Sequence, residues 1–356
     1  MTGGAMNRLV PFFREAFATP LAGVLSLLAC ALTGVLAMGA FKWLVLTAVW
    51  PWQAAGACKD LAGFCWPFLI EKTRFILFGT YPYALHYRPA LVCLILCVFA
   101  VVTCRHLVAA APLLSARQLA ASWIAVIVAS FVLMGGGIFG LEPVDPVRWN
   151  GLPILLILSI VAVALAFPLG VFLSLARVQS SYPLLARFAA AYVEIARGVP
   201  MLTVLFVGIF VLPLMLPEGV GISPVLATLV ALVFFHAAYF AEDVRGGLLG
   251  LPKGQDEAAK SLGMTYWQST RLVVLPQALR RSLPSLVNSI IGAYKDTSLV
   301  VVVGIHDLTA TARMSFGDPA WRDNAVEAYA LVAIWFFVSC AFLSGIGRTL
   351  HRNTVS

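Results

Sequence analysis

A chain of 356 residues that is 61% hydrophobic and only 11% charged, with a mean hydropathy of +0.93, cannot present an ordinary water-facing surface. Soluble domains carry about a quarter charged residues, so the composition excludes a soluble globular protein and defines an all-α polytopic membrane protein. The net charge of +8 would suggest nucleic acid in a soluble chain, but the positive-inside rule accounts for it here and no nucleic-acid partner is expected.

Membrane helices need about 20 apolar residues, and suitable runs fall at 22–48, 89–107, 119–140, 152–176, 188–216, 222–244, 284–305 and 328–348, which predicts about eight spans. The polar lead with Arg8 and Arg14 lacks a small-residue cleavage site and predicts an uncleaved first span. Trp50, Trp52, Trp66, Tyr81, Tyr83 and Tyr87 crowd the stretch 50–88, read as an outer loop at the membrane–water interface, with contact to a partner as the alternative. Cys58 and Cys65 share that loop, and the sequence leaves their pairing open. Cys93 and Cys97 lie one helical turn apart without a neighbouring histidine or carboxylate, so no metal site is expected. Gly135, Gly137 and Gly140 match G-x-G-x-x-G, but they end an apolar helix and follow no strand, so the stretch reads as a helix end. Pro143, Pro146 and Pro153 then mark a boundary between a three-helix membrane extension at 1–140 and a five-helix core at 141–356, whose polar loop covers 250–281.

Arginine and lysine gather on one side of these spans, including Arg105, Arg177, Arg245, Lys253, Arg280 and Arg348, whereas Asp60, Glu71, Glu142, Glu218, Asp307 and Asp323 gather on the other. This asymmetry places both termini and the loop 250–281 in the cytoplasm.

Charges inside spans cost about 2.5 to 3.5 kcal/mol each on insertion scales, so each needs a reason. Glu194 and Arg197 fall in the fifth span, Lys295 and Asp296 in the seventh. With helices starting at Pro183 and Pro284, Glu194 and Asp296 lie roughly 16 and 18 Å along, near the midplane of a core about 30 Å thick. Gly198 and Pro200 predict a break beside the first cluster, and the polar run Lys295–Ser298 predicts one beside the second. Broken helices at mid-depth expose backbone groups to a cavity. The competing reading pairs Glu194 with Arg197, or Lys295 with a carboxylate, only to neutralise buried charge. His236 reads as a packed histidine, and Glu242, Asp243 and Arg245 as a solvated helix end.

The polar stretch 252–276 is built to fold outside the lipid. Glu257 to Leu262 favour a short helix ended by Gly263, and Tyr266 to Val274 a second one stopped by Pro276. Glu257-Ala258-Ala259, Gly263 and Leu275-Pro276 at this spacing resemble the "EAA" loop of the membrane subunits of ATP-binding-cassette importers. The flanking Arg197-Gly198-Val199-Pro200, Pro252-Lys253-Gly254-Gln255 and Lys295-Asp296-Thr297-Ser298-Leu299 resemble the polar amino acid uptake permeases over residues 150 to 350. The extension is similar to that of the longer permease subunits of general L-amino acid importers.

The resemblance implies a type I importer permease core in a bacterial inner membrane. Glu257, Ala258, Ala259, Leu262 and Gly263 would contact the ATPase. Glu194 and Asp296 would line a substrate pocket, receiving an ammonium group, while Arg197 or backbone N–H groups near Ser298 and Leu299 would receive a carboxylate. The implied partners are a dimer of ATP-binding subunits, a second homologous permease, a periplasmic amino acid-binding protein and membrane lipid. No G-x-x-x-x-G-K-[ST] occurs, so the chain is not expected to be an enzyme, and ATP and Mg would be held by the partner subunits. An ion-coupled secondary transporter using Asp296 or Glu194 is the alternative, and a membrane scaffold a third reading. The ion-coupled reading leaves the Glu257-Ala258-Ala259 loop without a purpose, and substrate-stimulated ATPase activity of the purified complex would exclude the scaffold.

Overall fold

The structure is a computed structural model that describes residues 16–53, 58, 63–109, 114–178, 182–217, 219, 221–252 and 254–355. Arg8, Arg14, Asp60, Glu218 and Lys253, used above for topology, lie outside these residues. The chain forms two compact units, 1–72 and 73–356. All regular elements among the described residues are helical.

The first unit is built on α1 (Pro20–Phe41), capped by the Thr19 side chain and continued by a wider turn through Leu46. No residue of α1 is buried within the chain, as fits a helix whose solvent is lipid. After α1, Trp50 stacks on both Trp52 and Trp66, and Trp43 meets Phe64 edge-on. Cys58 and Cys65 are joined by a disulfide, which settles the pairing that the sequence left open.

The stretch 50–88 is not all loop: α2 (Trp66–Phe78) forms a helix there. Glu71, Lys72 and Arg74 interrupt its apolar run, which hid it from a search for spans. Then come α3 (Tyr87–Val108) and α4 (Ala116–Gly135), the latter opened by a Ser115–Gln118 capping box. The glycines after α4 take left-handed conformations at Gly136, Gly137 and Gly140, the expected helix end.

In the rest of the second unit, α5 (Leu152–Val178), α6 (Pro183–Gly198), α7 (Met201–Met215), α8 (Pro224–Leu249), α10 (Tyr266–Val303) and α12 (Ala325–Val355) carry the apolar mass, with the short α9 (Gly254–Ser261) and α11 (Leu308–Ser315) beside them. The interior joining α5, α6, α8 and α10 is rich in alanine, including Ala166, Ala176, Ala189, Ala196, Ala237, Ala241 and Ala278. Small residues let membrane helices approach closely, since lipid tails supply no hydrophobic drive between them. Gly170 shows how close: a Cβ there would stand 2.6 Å from the Phe240 Cβ and 2.9 Å from the Ala237 carbonyl oxygen. Gly170→Val is therefore expected to abolish assembly of the permease in the membrane, read as loss of a monodisperse peak in detergent. A monodisperse, fully active variant would refute this packing.

One sequence expectation about spans is met and one is corrected. First, α6 and α7 meet at a bend of 107°, the break expected at Gly198–Pro200, so 188–216 is a broken pair. Val199 is extended before Pro200, as the clash with a following proline ring demands. Second, Pro276 does not stop the loop's second helix. The helix opens at Tyr266 with a Thr265–Gln268 capping box, widens by one residue over Thr270–Val274 and runs on through Pro276 and Pro284. A widened turn makes room for a ring that lacks an N–H and would strike the carbonyl of the preceding turn. The resulting helix has 38 residues, about 57 Å at 1.5 Å per residue, so it reaches well beyond the lipid into the polar loop.

At the opposite end of the unit, Arg88 is buried and donates to the Glu142 carbonyl at 2.7 Å, while the Tyr81 hydroxyl donates to the Met134 carbonyl at 2.9 Å. Gly151 N–H donates to the His306 carbonyl at 2.7 Å, and Thr311 donates to the Ile76 carbonyl. Asp307, fully buried, caps α11 by accepting from Ala310 N–H at 3.0 Å. Burial pushes its carboxyl up to about 6.

Candidate functional site

Asp296 closes the α-helical part of α10. From Thr297 to Val303 the helix tightens to three residues per turn, and the Thr297 hydroxyl donates back to the Tyr294 carbonyl at 2.7 Å. The break expected at Lys295–Ser298 is thus a narrowing: a tightened turn keeps its backbone bonded, whereas an open one would leave donors unpaired in lipid. Ser298 and Leu299 sit half-buried on this turn, and the Lys295 side chain is exposed. Asp296 Oδ2 lies 3.7 Å from Nε2 of His236 on α8. His236 is buried, as expected of a packed histidine, yet its Nε2 has no hydrogen-bond partner among the described residues.

Glu194 and Arg197 belong to a second cluster. Glu194 pairs with Arg177 at 3.5 Å and not with Arg197, and its side chain is 73% exposed. Arg177 sits in the last turn of α5. One carboxylate, Glu242 on α8, gathers Arg177 at 3.1 Å, Arg197 at 3.6 Å and Arg245 on its own helix. The Arg197 guanidinium also lies over the Tyr239 ring, 5.6 Å from its centroid. Asp243 accepts from Ser289 of α10 at 2.6 Å. The solvated helix end expected at Glu242–Arg245 is therefore an ionic junction of α5, α6 and α8, because three arginines from separate elements converge on Glu242.

The two clusters meet α8 at His236 and Glu242, six residues or about 9 Å apart along its axis. Glu194 accordingly lies level with the last turn of α5, which carries Arg177, and not level with Asp296. The equal depths inferred from sequence were counted along each helix from Pro183 and Pro284, whereas the pairing of Glu194 with Arg177, and of Arg177 with Glu242, sets Glu194 beside the ends of α5 and α8. Arg177 was missed because it reads as an ordinary flanking arginine. Only the distance between α5 and α8 gives it a partner.

The polar loop folds as its residues dictate. α9 ends at Ser261, Gly263 adopts φ +79°, and Met264 N–H donates to the Ala259 carbonyl at 3.2 Å, satisfying a carbonyl at the helix end. Ala259 is buried against the following helix, whereas Glu257, Ala258 and Leu262 are exposed, Leu262 by 79%. Asp256 accepts from the Ser269 hydroxyl at 2.8 Å and pairs with Lys260 at 2.7 Å, which locks α9 to the start of α10. The bonds from Lys260, then from Ser269, hold the Asp256 carboxyl below its usual range. The loop is thus a braced lever on the long α10, with Trp267 and Leu272 adding exposed apolar surface beside Leu262.

Apolar spans, an in-membrane acid facing a buried histidine and a braced polar loop outside the lipid on the same helix are the features of a membrane transport permease. Residues 166–355 match the family described as binding-protein-dependent transport system inner membrane component, and the chain belongs to that family. It is 38% identical over 318 residues to the inner membrane amino-acid ABC transporter permease protein YhdY of Escherichia coli strain K12, covering 88% of this chain and 83% of that protein. The glutamate/aspartate import permease protein GltK of Escherichia coli O157:H7 is 38% identical over 60% of this chain and 95% of its own length. A crystal structure of an amino acid ABC transporter with histidines superposes with a TM-score of 0.50 at 32% identity, covering 57% of this chain and 92% of that one. The expected type I importer permease fold is borne out, and the ion-coupled alternative finds no support. In this family the membrane component is not itself catalytic: it works with ATP-binding and substrate-binding components at the bacterial inner membrane, and ATP is hydrolysed in a separate subunit.

Proposed function

We propose that the chain forms half of the translocation pathway of an amino acid importer, paired with a second, homologous permease in a heterodimer. A periplasmic binding protein delivers the amino acid at the outer face. Two ATP-binding subunits, which hold ATP and Mg, close on the lever at Glu257, Ala258, Ala259, Leu262 and Gly263. Motion of α10 then carries Asp296, Ser298 and Leu299 between outward-open and inward-open states, and hydrolysis resets them. Each ligand acts by favouring one of two states. The observation that carries this reading is the continuity of α10, which joins the lever and Asp296 in one 38-residue helix.

In the pathway Asp296 receives the substrate ammonium, and Ser298 and Leu299 shape the tightened turn beside it. Glu194 and Arg197, at the inner cluster, meet the amino acid on its way out. The disulfide between Cys58 and Cys65 supports an oxidising outer side for the loop after α1, and therefore cytoplasmic N- and C-termini.

The test is uptake of labelled L-glutamine by vesicles containing the whole complex and binding protein. ATP inside is expected to drive it, and a proton gradient without ATP is not. Uptake that follows the gradient and ignores ATP rejects the proposal. Asp296→Asn is expected to raise the KM for uptake at least tenfold, about 1.4 kcal/mol of lost interaction, with basal ATP hydrolysis retained. An unchanged KM would remove Asp296 from the pathway.

A further inference from the structure

The polar loop sits at one end of α10, and what holds the other end decides how the helix moves. There α10 closes on Gly304 at φ +86°, where an added Cβ would meet nothing within 4 Å. A left-handed glycine in open space is a point where the backbone turns at little steric cost. The segment beyond it is held firmly. Asp307, Leu308, Thr311 and Ser315 are all buried.

Gly151 N–H donates to the His306 carbonyl at 2.7 Å, which pins this segment to the start of α5. The Thr311 hydroxyl donates to the Ile76 carbonyl. Ile76 is buried in the last turn of α2, where carbonyls lack helical partners, so the bond satisfies a group shut off from water. Asn150 donates to the Thr80 hydroxyl and ties the same stretch to the residue before Gly151. Gly79, at φ +58°, sits where the three parts meet: a Cβ there would stand 2.5 Å from the Asn150 Cβ and 2.9 Å from the Thr311 Cγ2. A Cβ at Gly151 would stand 2.2 Å from the Leu77 carbonyl oxygen. Packing this close leaves no room for one part to slide past another. Residues 76–81 lie outside the stretch 166–355 that matches the family, so the shared core does not account for them.

We propose that residues 76–81 are a clasp that holds α11 on the start of α5 throughout the transport cycle and makes Gly304 the fixed fulcrum of α10. Ile76, Thr80 and Thr311 are then positioning residues that act on the pathway through α10. This rests on the functional reading above and adds where the moving helix is anchored. Asp296 lies about 14 Å from Val303 along the tightened turn, and Tyr266 about 45 Å further on. Turning as one rod about its far end, the helix moves Asp296 by about a quarter of the displacement at Tyr266. A large stroke at the lever becomes a small one beside the pathway.

The test joins the clasp covalently. Thr80→Cys and Asn150→Cys are introduced together, and vesicles holding the whole complex are oxidised with copper phenanthroline. The disulfide is expected to form, and ATP-driven uptake of labelled L-glutamine to stay above half of its reduced level, because the joined parts never separate. Uptake that falls tenfold on oxidation and returns with dithiothreitol overturns the proposal, since the contact must then open in the cycle. Failure of the disulfide to form overturns it by placing the two residues apart. Thr311→Val removes one bond of the clasp and is expected to lower the amino acid moved per ATP hydrolysed at least threefold with KM unchanged. Thr311→Ser, which keeps the hydroxyl, is expected to restore that ratio. An unchanged ratio, or uptake and hydrolysis that fall together, overturns the proposal by reducing the contact to a packing role. Wild-type uptake measured alongside tests the importer reading by itself, so failure of the clasp leaves that reading standing.

Discussion

Glu257→Arg is expected to lower ATP-driven uptake by at least tenfold while the permease remains folded and in the membrane. The side chain is exposed in the first turn of α9 and is not part of the Asp256–Lys260–Ser269 lock. Reversing its charge at the helix start costs about 0.3 to 1 kcal/mol through the helix dipole, too little to unfold a loop braced on α10. What changes is the surface that the ATPase meets. Charge reversal at a contact is a repulsive element as well as a lost attraction, so the effect exceeds that of Glu257→Gln. The measurement is ATP-dependent uptake in vesicles, together with co-purification of the ATP-binding subunit. Full uptake with the subunit retained would mean that the lever is pushed elsewhere, and the mechanism would need another point of entry for the force.

Asp307→Asn is expected to raise the thermal stability of the purified protein at pH 7.5 and to leave it nearly unchanged at pH 4. Burial raises the folded carboxyl from 3.8 to about 6, so the folded state holds its proton more tightly than the unfolded chain does. Stability is then greatest below the unfolded value and falls as pH rises through the folded one, with the full penalty present above about pH 6. The shift corresponds to a ceiling of about 3 kcal/mol at 1.36 kcal/mol per unit. Asparagine keeps an oxygen for the Ala310 N–H and caps a helix as well as aspartate does, so the charge is removed without the cap. Fluorescence-monitored melting in detergent reads the result. An equal shift at both pH values would show that the carboxyl is not strained by burial, and a loss at pH 7.5 would show that its charge is used.

These expectations draw on different layers of information. Glu257-Ala258-Ala259, the left-handed Gly263 and the break at Gly198–Pro200 were legible because each is decided within a few residues: a helix former, a glycine, a proline ring. The membrane class was legible for a similar reason, since lipid selects composition over long runs. The 13-residue helix Trp66–Phe78 escaped because three charges interrupt its apolar run, and the continuation of α10 past Pro276 escaped because a widened turn absorbed the ring.

By itself, then, the sequence determined the spans, the lever and the presence of acids and bases where lipid tolerates few. The tertiary structure decided which charges meet. Glu194 finds Arg177, Arg197 finds Glu242, and Asp296 faces His236 only because α5, α6, α8 and α10 approach through alanine and glycine contacts. Pairing between helices depends on distances of a few ångströms set by small side chains far from either charge, and nothing local to Glu194 or Lys295 records whether a partner will arrive.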